Sequence, residues 1–148
     1  MKHFKLTSET KINAVGIKLF RIECIIDCKW AKVGDKGGWI EKENNLSGNA
    51  WVSDDAKVYG NAEVYGNAKV SGNAWVSGNA DYCCFQAFGS TNRTTTVFKT
   101  PDGVRINCGC FNGSLDDFVK QVERTHGDNK FGREYRAIIE VIKAKFDL

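Results

Sequence analysis

The sequence predicts a mainly β fold with two C-terminal helices, organised around a short run of hexapeptides with a hairpin on either side. Three observations carry this. Between Gly48 and Cys83 the chain reads GNAWVS, DDAKVY, GNAEVY, GNAKVS, GNAWVS, GNADYC, with Ala at the third place and Val, once Tyr, at the fifth. Alternating apolar segments broken by turn residues flank that run. The last third holds two apolar patterns of helical period. A six-residue period fits neither a helix nor a simple alternating strand, because Gly-Asn interrupts it; each unit is three residues of strand and three of corner.

The elements follow in order. Residues 1–35 contain KINAVGIKLFRIECII with Gly16 at a turn, which predicts an N-terminal capping hairpin. Residues 36–83 form the repeat region. Ile40 and Leu46 stand six and twelve residues before Val52, so two degenerate units precede the clear ones. Within a unit Ala and Val are two apart and share a face. Ala50, Ala56, Ala62, Ala68, Ala74 and Ala80, with Val52, Val58, Val64, Val70, Val76 and Tyr82, are the expected inward set. Trp51, Lys57, Glu63, Lys69, Trp75 and Asp81 are the expected outward row. Residues 84–148 form a C-terminal hairpin and two-helix region. Segments 94–100 and 104–111 meet at Pro101-Asp102-Gly103, a turn sequence. Ser114 with Asp117 opens a helix bearing Leu115, Phe118, Val119 and Val122. His126-Gly127-Asp128-Asn129 stops it, and Phe131, Tyr135, Ile138, Ile139, Ile142 and Phe146 mark a last helix.

The repeats resemble the hexapeptide-repeat family that folds as a left-handed parallel β-helix, three hexapeptides to a triangular coil. The nearest resemblance is to phage and prophage proteins with tandem YGNAxV repeats, and it takes in KVGDKGGWIE, CGCFNGSLDDF and HGDN. It implies eighteen-residue coils, with Trp51 over Lys69, Lys57 under Trp75 and Glu63 beside Asp81, about 4.8 Å apart. Aromatics expected on the outer faces, Trp51, Tyr59, Tyr65 and Trp75, read as a subunit interface, and the resemblance likewise implies a trimer packed along the coil axis. Acyl transfer and metal-dependent carbonic anhydration, the usual enzymatic uses of the scaffold, need a His in the coil. Residues 36–83 contain none.

Composition narrows the classes further. Twenty-one basic and 18 acidic residues leave a net charge of +3, too balanced for bulk nucleic-acid binding. No apolar run is long enough to span a bilayer and no leader is evident, so cytoplasmic residence, in an infected or lysogenic host, is expected. Cys24, Cys28, Cys83, Cys84, Cys108 and Cys110 then read as reduced structural thiols, without zinc spacing. No metal or cofactor is expected.

The most ligand-like stretch is Gly89 to Thr96. Ser90, Asn92, Arg93, Thr94 and Thr95, with Lys99, supply hydroxyl, amide and charged donors suited to phosphate. The available nucleophile–base–orienter set is Cys108 or Cys110 with His126 and Asp128. The expected function is a non-enzymatic, phage-type counter-defence protein that sequesters a small phosphate-bearing nucleotide or blocks a host defence protein. A transferase or hydrolase using the Cys/His pair, and a structural or virion-assembly solenoid, are the alternatives.

Overall fold

Parallel pairing at a step of eighteen residues organises the repeat region. The computed structural model describes residues 2–148 and is mainly β with two C-terminal helices. Strands β3 (Lys36–Ile40), β4 (Trp51–Val52), β5 (Lys57–Val58), β6 (Lys69–Val70) and β7 (Trp75–Val76) come from the repeats. Trp39 lies opposite Lys57 and Lys57 opposite Trp75, Trp51 opposite Lys69, and a single bridge joins Leu46 to Val64. The glycines at the corners, Gly48, Gly60, Gly66 and Gly72, have φ between 62° and 66°. Asp54 takes the same left-handed conformation, which a short polar side chain tolerates. Its carboxylate accepts the Gly72 N–H at 3.0 Å.

The Ala and Val of the repeats are buried from Ala50 to Val76, in one core with Ile40 and Leu46. Ala80 departs from the expected inward set: it is exposed, because the chain leaves the repeat there. Tyr82 is buried and its hydroxyl donates to Glu63 O.

Strands β1 (Phe4–Ile12) and β2 (Lys18–Cys24) are an antiparallel hairpin, and β2 pairs with β3. The hairpin therefore extends one face of the repeat region as a five-stranded sheet, β1-β2-β3-β5-β7. Gly37 and Gly38 admit this junction; a Cβ on Gly37 would stand 2.6 Å from Ile22 and from Val52 O. The same hairpin covers residues expected outside. Trp51 is buried beside His3, whose Nε2 lies 2.8 Å from Ala50 O. Tyr59 is buried with Leu19 and Trp39. Of the expected interface row, only Tyr65 at 57 % and Trp75 at 38 % are exposed.

After the repeats, β8 (Tyr82–Phe88), β9 (Arg93–Thr100), β10 (Gly103–Cys108) and β11 (Phe111–Ser114) form an antiparallel sheet in the order β11-β10-β9-β8. It stands between the repeat region and helices α1 (Leu115–Thr125) and α2 (Lys130–Phe146). Period-two alternation divides its residues. Tyr82, Cys84 and Phe98 join the repeat core, while Cys83, Val97, Ile106 and Cys108 join a second core with Phe118, Val122, Tyr135, Ile138, Ile139 and Ile142. Ser114 caps α1 by accepting the Asp117 N–H at 3.2 Å, and Asn129 caps α2 through Gly132 N–H at 2.9 Å. Among the described residues no helix is long and apolar enough to cross a membrane.

Candidate functional site

The sheet face that meets the repeats is apolar at Phe98 and turns polar towards its other end, where Thr94 and Thr96 of β9 and Asn107 of β10 lie on the repeat side. The Thr96 hydroxyl accepts Lys69 N–H at 3.0 Å. The Asn107 amide donates to Lys69 O at 2.8 Å and to Ser71 Oγ at 2.9 Å, tying the sheet to the repeats. Asn112 donates to Asn107 Oδ1, and Arg105 donates to Asn112 Oδ1 at 2.7 Å.

A cleft of about 380 Å³ opens beside these bonds. Its repeat wall is Trp51, Ser53, Asp54, Lys69 and Ser71, and its sheet wall is Thr94, Thr96, Asn107 and Asn112, with Trp30 at one side. The Trp30 indole N–H donates to Asn67 O at 3.0 Å, which fixes the ring. The ammonium groups of Lys69 and Lys29 stand 5.3 and 5.1 Å from the ring centroid. An aromatic ring with two cations beside it, of which Lys69 also lines the cleft, thus borders the same space as these amides and hydroxyls.

The Gly89–Thr96 stretch does not form one phosphate loop. Ser90 and Asn92 are in the exposed turn between β8 and β9, with Asn92 at φ 48°. From Arg93 onward the residues are in a strand and point alternately to opposite sides. Thr94 lines the cleft. Thr95 faces the helices, fully buried, and donates to Cys108 Sγ at 3.1 Å. Lys99, near the far end of β9, lies 3.5 Å from Asp81. Burial alone would raise the Asp81 carboxyl, but the Ser77 N–H and hydroxyl, with Lys99, hold it below its ordinary value.

Arg93 borders a second pocket, of about 430 Å³, between the sheet and the helices. Cys108, Cys110 and His126 border it too. Cys108 is buried and donates to the Tyr135 hydroxyl at 3.8 Å; burial first, then Cys108, pushes that phenol above its ordinary value. His126 stacks on the Tyr135 ring with centroids 5.6 Å apart. Among the described residues no hydrogen bond joins His126 to either thiol, and Asp128, exposed, pairs with Arg136 at 3.2 Å. The structure therefore brings the thiols and the imidazole to one pocket without assembling a triad.

All six cysteines are free thiols. Burial pushes Cys83 and Cys84 up to about 11. Among the described residues, no group of three His, Cys, Asp or Glu side chains is placed to hold a metal ion.

Sequence reasoning passed over Trp30, Asp54, Asn107 and Asn112. The available signal was Asn107 itself, an amide between Ile106 and Cys108 in a strand whose neighbours are buried. No protein-family model matches the chain, and no curated protein matches it either.

Proposed function

We propose that the chain is a non-enzymatic binding protein of the phage or prophage type that sequesters a small phosphate-bearing nucleotide in the cleft between its repeats and its C-terminal sheet. The repeat region is read as a short left-handed parallel β-helix, for which the eighteen-residue parallel pairing is the support. The observation that carries the function is Trp30, fixed through its indole N–H with Lys29 and Lys69 beside its ring, lining one cleft with Lys69, Asn107, Asn112, Thr94 and Thr96. A base needs a π-face and edge donors and acceptors; phosphate needs cations. The volume falls in the roughly 300–1,000 Å³ range of small-molecule sites. The ligand reading is preferred to a host-protein blocker because Trp51 and Tyr59, half of the aromatic row that reading requires, are buried. The proposal extends to a homotrimer in the cytoplasm of the infected host, with Tyr65 and Trp75 between subunits.

Incubation with a nucleotide panel, followed by mass spectrometry of what co-purifies, names the ligand, and calorimetric titration measures it. Lys69→Ala removes a charge-assisted contact of ~1.5–3 kcal/mol, a roughly ten- to hundredfold loss. Trp30→Ala removes stacking of ~1–3 kcal/mol. A panel with no retained nucleotide, or full-strength binding by both variants, overturns the reading and leaves a structural solenoid in its place.

A further inference from the structure

We infer that the pocket between the sheet and the two helices is a second binding site, which takes a phosphate monoester carried on a compact aromatic body. The floor is apolar: Phe118, Val122, Tyr135 and Cys108 are all buried. The rim supplies the charge. Among the described residues Arg93 has no carboxylate partner, and its one side-chain bond runs from Nε to Thr91 Oγ1 at 2.9 Å. Both terminal amino groups of the guanidinium are left to grip two oxygens of one anion.

Gly109 holds the fork in place by what it lacks. Its φ is +59°, and a Cβ there would stand 2.7 Å from Arg93 Nη1, so the guanidinium lies across the β10–β11 turn where a side chain would block it. In the same pocket the His126 ring is stacked on Tyr135 and, among the described residues, neither of its nitrogens is hydrogen-bonded. The imidazole thus presents a free donor or acceptor beside an aromatic floor. An anion seated on Arg93 and His126 directs its apolar substituent onto Phe118 and Tyr135, and 430 Å³ is enough for a single ring with its phosphate. The site adjoins the nucleotide cleft, with which it shares Cys110, Phe111 and Asn112, but its cation is Arg93, whereas the cleft is lined by Lys69 and Trp30.

The test is a proton–nitrogen NMR titration with phenyl phosphate, with inorganic phosphate and phenol as the two halves of that probe. Shifts are expected at the Gln121 side-chain amide and the Thr125 and His126 backbone amides, with phenyl phosphate at least tenfold tighter than either half. Arg93→Gln should weaken binding tenfold or more, and Arg93→Lys should fall between, keeping charge but losing the fork. The Trp30 indole N–H reports the other cleft. Trp30→Ala should leave phenyl phosphate binding unchanged, so failure here and failure of the nucleotide reading are separable. The inference is overturned if no saturable shift appears at these amides, if the shifts centre on Trp30, if inorganic phosphate matches phenyl phosphate, or if Arg93→Gln binds at full strength while its spectrum is otherwise native.

Discussion

Val64 is the position at which the assignment of faces is most open to refutation. It is fully buried, bridges Leu46, donates its N–H to Asn45 O at 3.0 Å and accepts the Ser47 N–H at 2.9 Å. Glu63, one residue earlier, points outward and is exposed. Val64→Asp forfeits apolar burial of ~1.5–3 kcal/mol and puts a carboxyl among Val and Ala side chains with nothing to bond it. A buried carboxyl shifted by 3–5 units is held protonated, which costs a further ~4 kcal/mol at neutral pH, about 1.36 kcal/mol for each of the roughly three units between pH 7 and its ordinary value. The sum is of the size of the whole folding free energy of a domain, roughly 5–15 kcal/mol, so the variant is expected to be unfolded at 25 °C. Val64→Ala keeps the polarity and loses about 2–3 kcal/mol, two methyl groups plus a cavity. At ~2–4 °C per kcal/mol for a chain of this size, that lowers the melting temperature by roughly 4–12 °C. Glu63→Lys should stay within about 0.5 kcal/mol of the parent. Thermal melts followed by circular dichroism decide it. Equal melting temperatures for Val64→Asp and Glu63→Lys would refute the division into inward and outward faces.

Two further outcomes are expected. Asp81→Asn should destabilise the protein at neutral pH and cease to matter in acid. The native carboxyl is held below its ordinary value of 3.8, so its contribution is present above that pH and is lost as pH falls through the lower folded value. Urea midpoints of parent and variant should converge below pH 4, and a constant difference across pH would contradict this. Asn107→Ala removes two donated hydrogen bonds and should cost about 1–3 kcal/mol, read as a lower urea midpoint. If the midpoint does not move, Asn107 does not tie the sheet to the repeats.

The repeat region was legible because its period is written in small residues that nothing else in the chain imitates. Ala and Val two apart define a face wherever the strand continues, and the expectation failed only at Ala80, where it does not. The capping Ser114 and the two helices were legible for the same local reason. The burial of Trp51 and Tyr59 was not, since it depends on a hairpin whose second strand pairs with β3 at separations of thirteen to twenty residues. Strand β8 was missed beyond Cys83 because CCFQAF has no clean alternation. The run Thr94-Thr95-Thr96 opens a segment expected as a strand, but its polarity gives no sign that all three residues are buried. A strand covered on both faces buries successive residues whatever their polarity, and sequence alone does not say that a sheet has two covers. The cleft is harder still. Trp30, Lys69 and Asn107 come from three distant segments, and no local pattern announces their meeting.

That meeting bears on why the sheet is built as it is. A repeat stack ends in an open edge and needs a cap, and the cheapest cap is apolar throughout. Near Phe98 the sheet is such a cap, with Phe98, Tyr82 and Val76 in one core. Along the same strand towards Arg93 the apolar side chains give way to Thr96 and Thr94, and on β10 to Asn107. Each buried hydroxyl or amide must find a partner or cost free energy. Thr96 and Asn107 find theirs on Lys69 and Ser71. Those bonds hold the two walls together at one depth and leave the space beyond them unfilled, lined by Thr94, Asn112, Asp54 and Trp30. Sealing alone would be served better by a second phenylalanine at Thr94. Departures from the locally stable choice are expected at functional or strained sites, and their gathering along one wall of one cleft is what the proposed ligand site rests on.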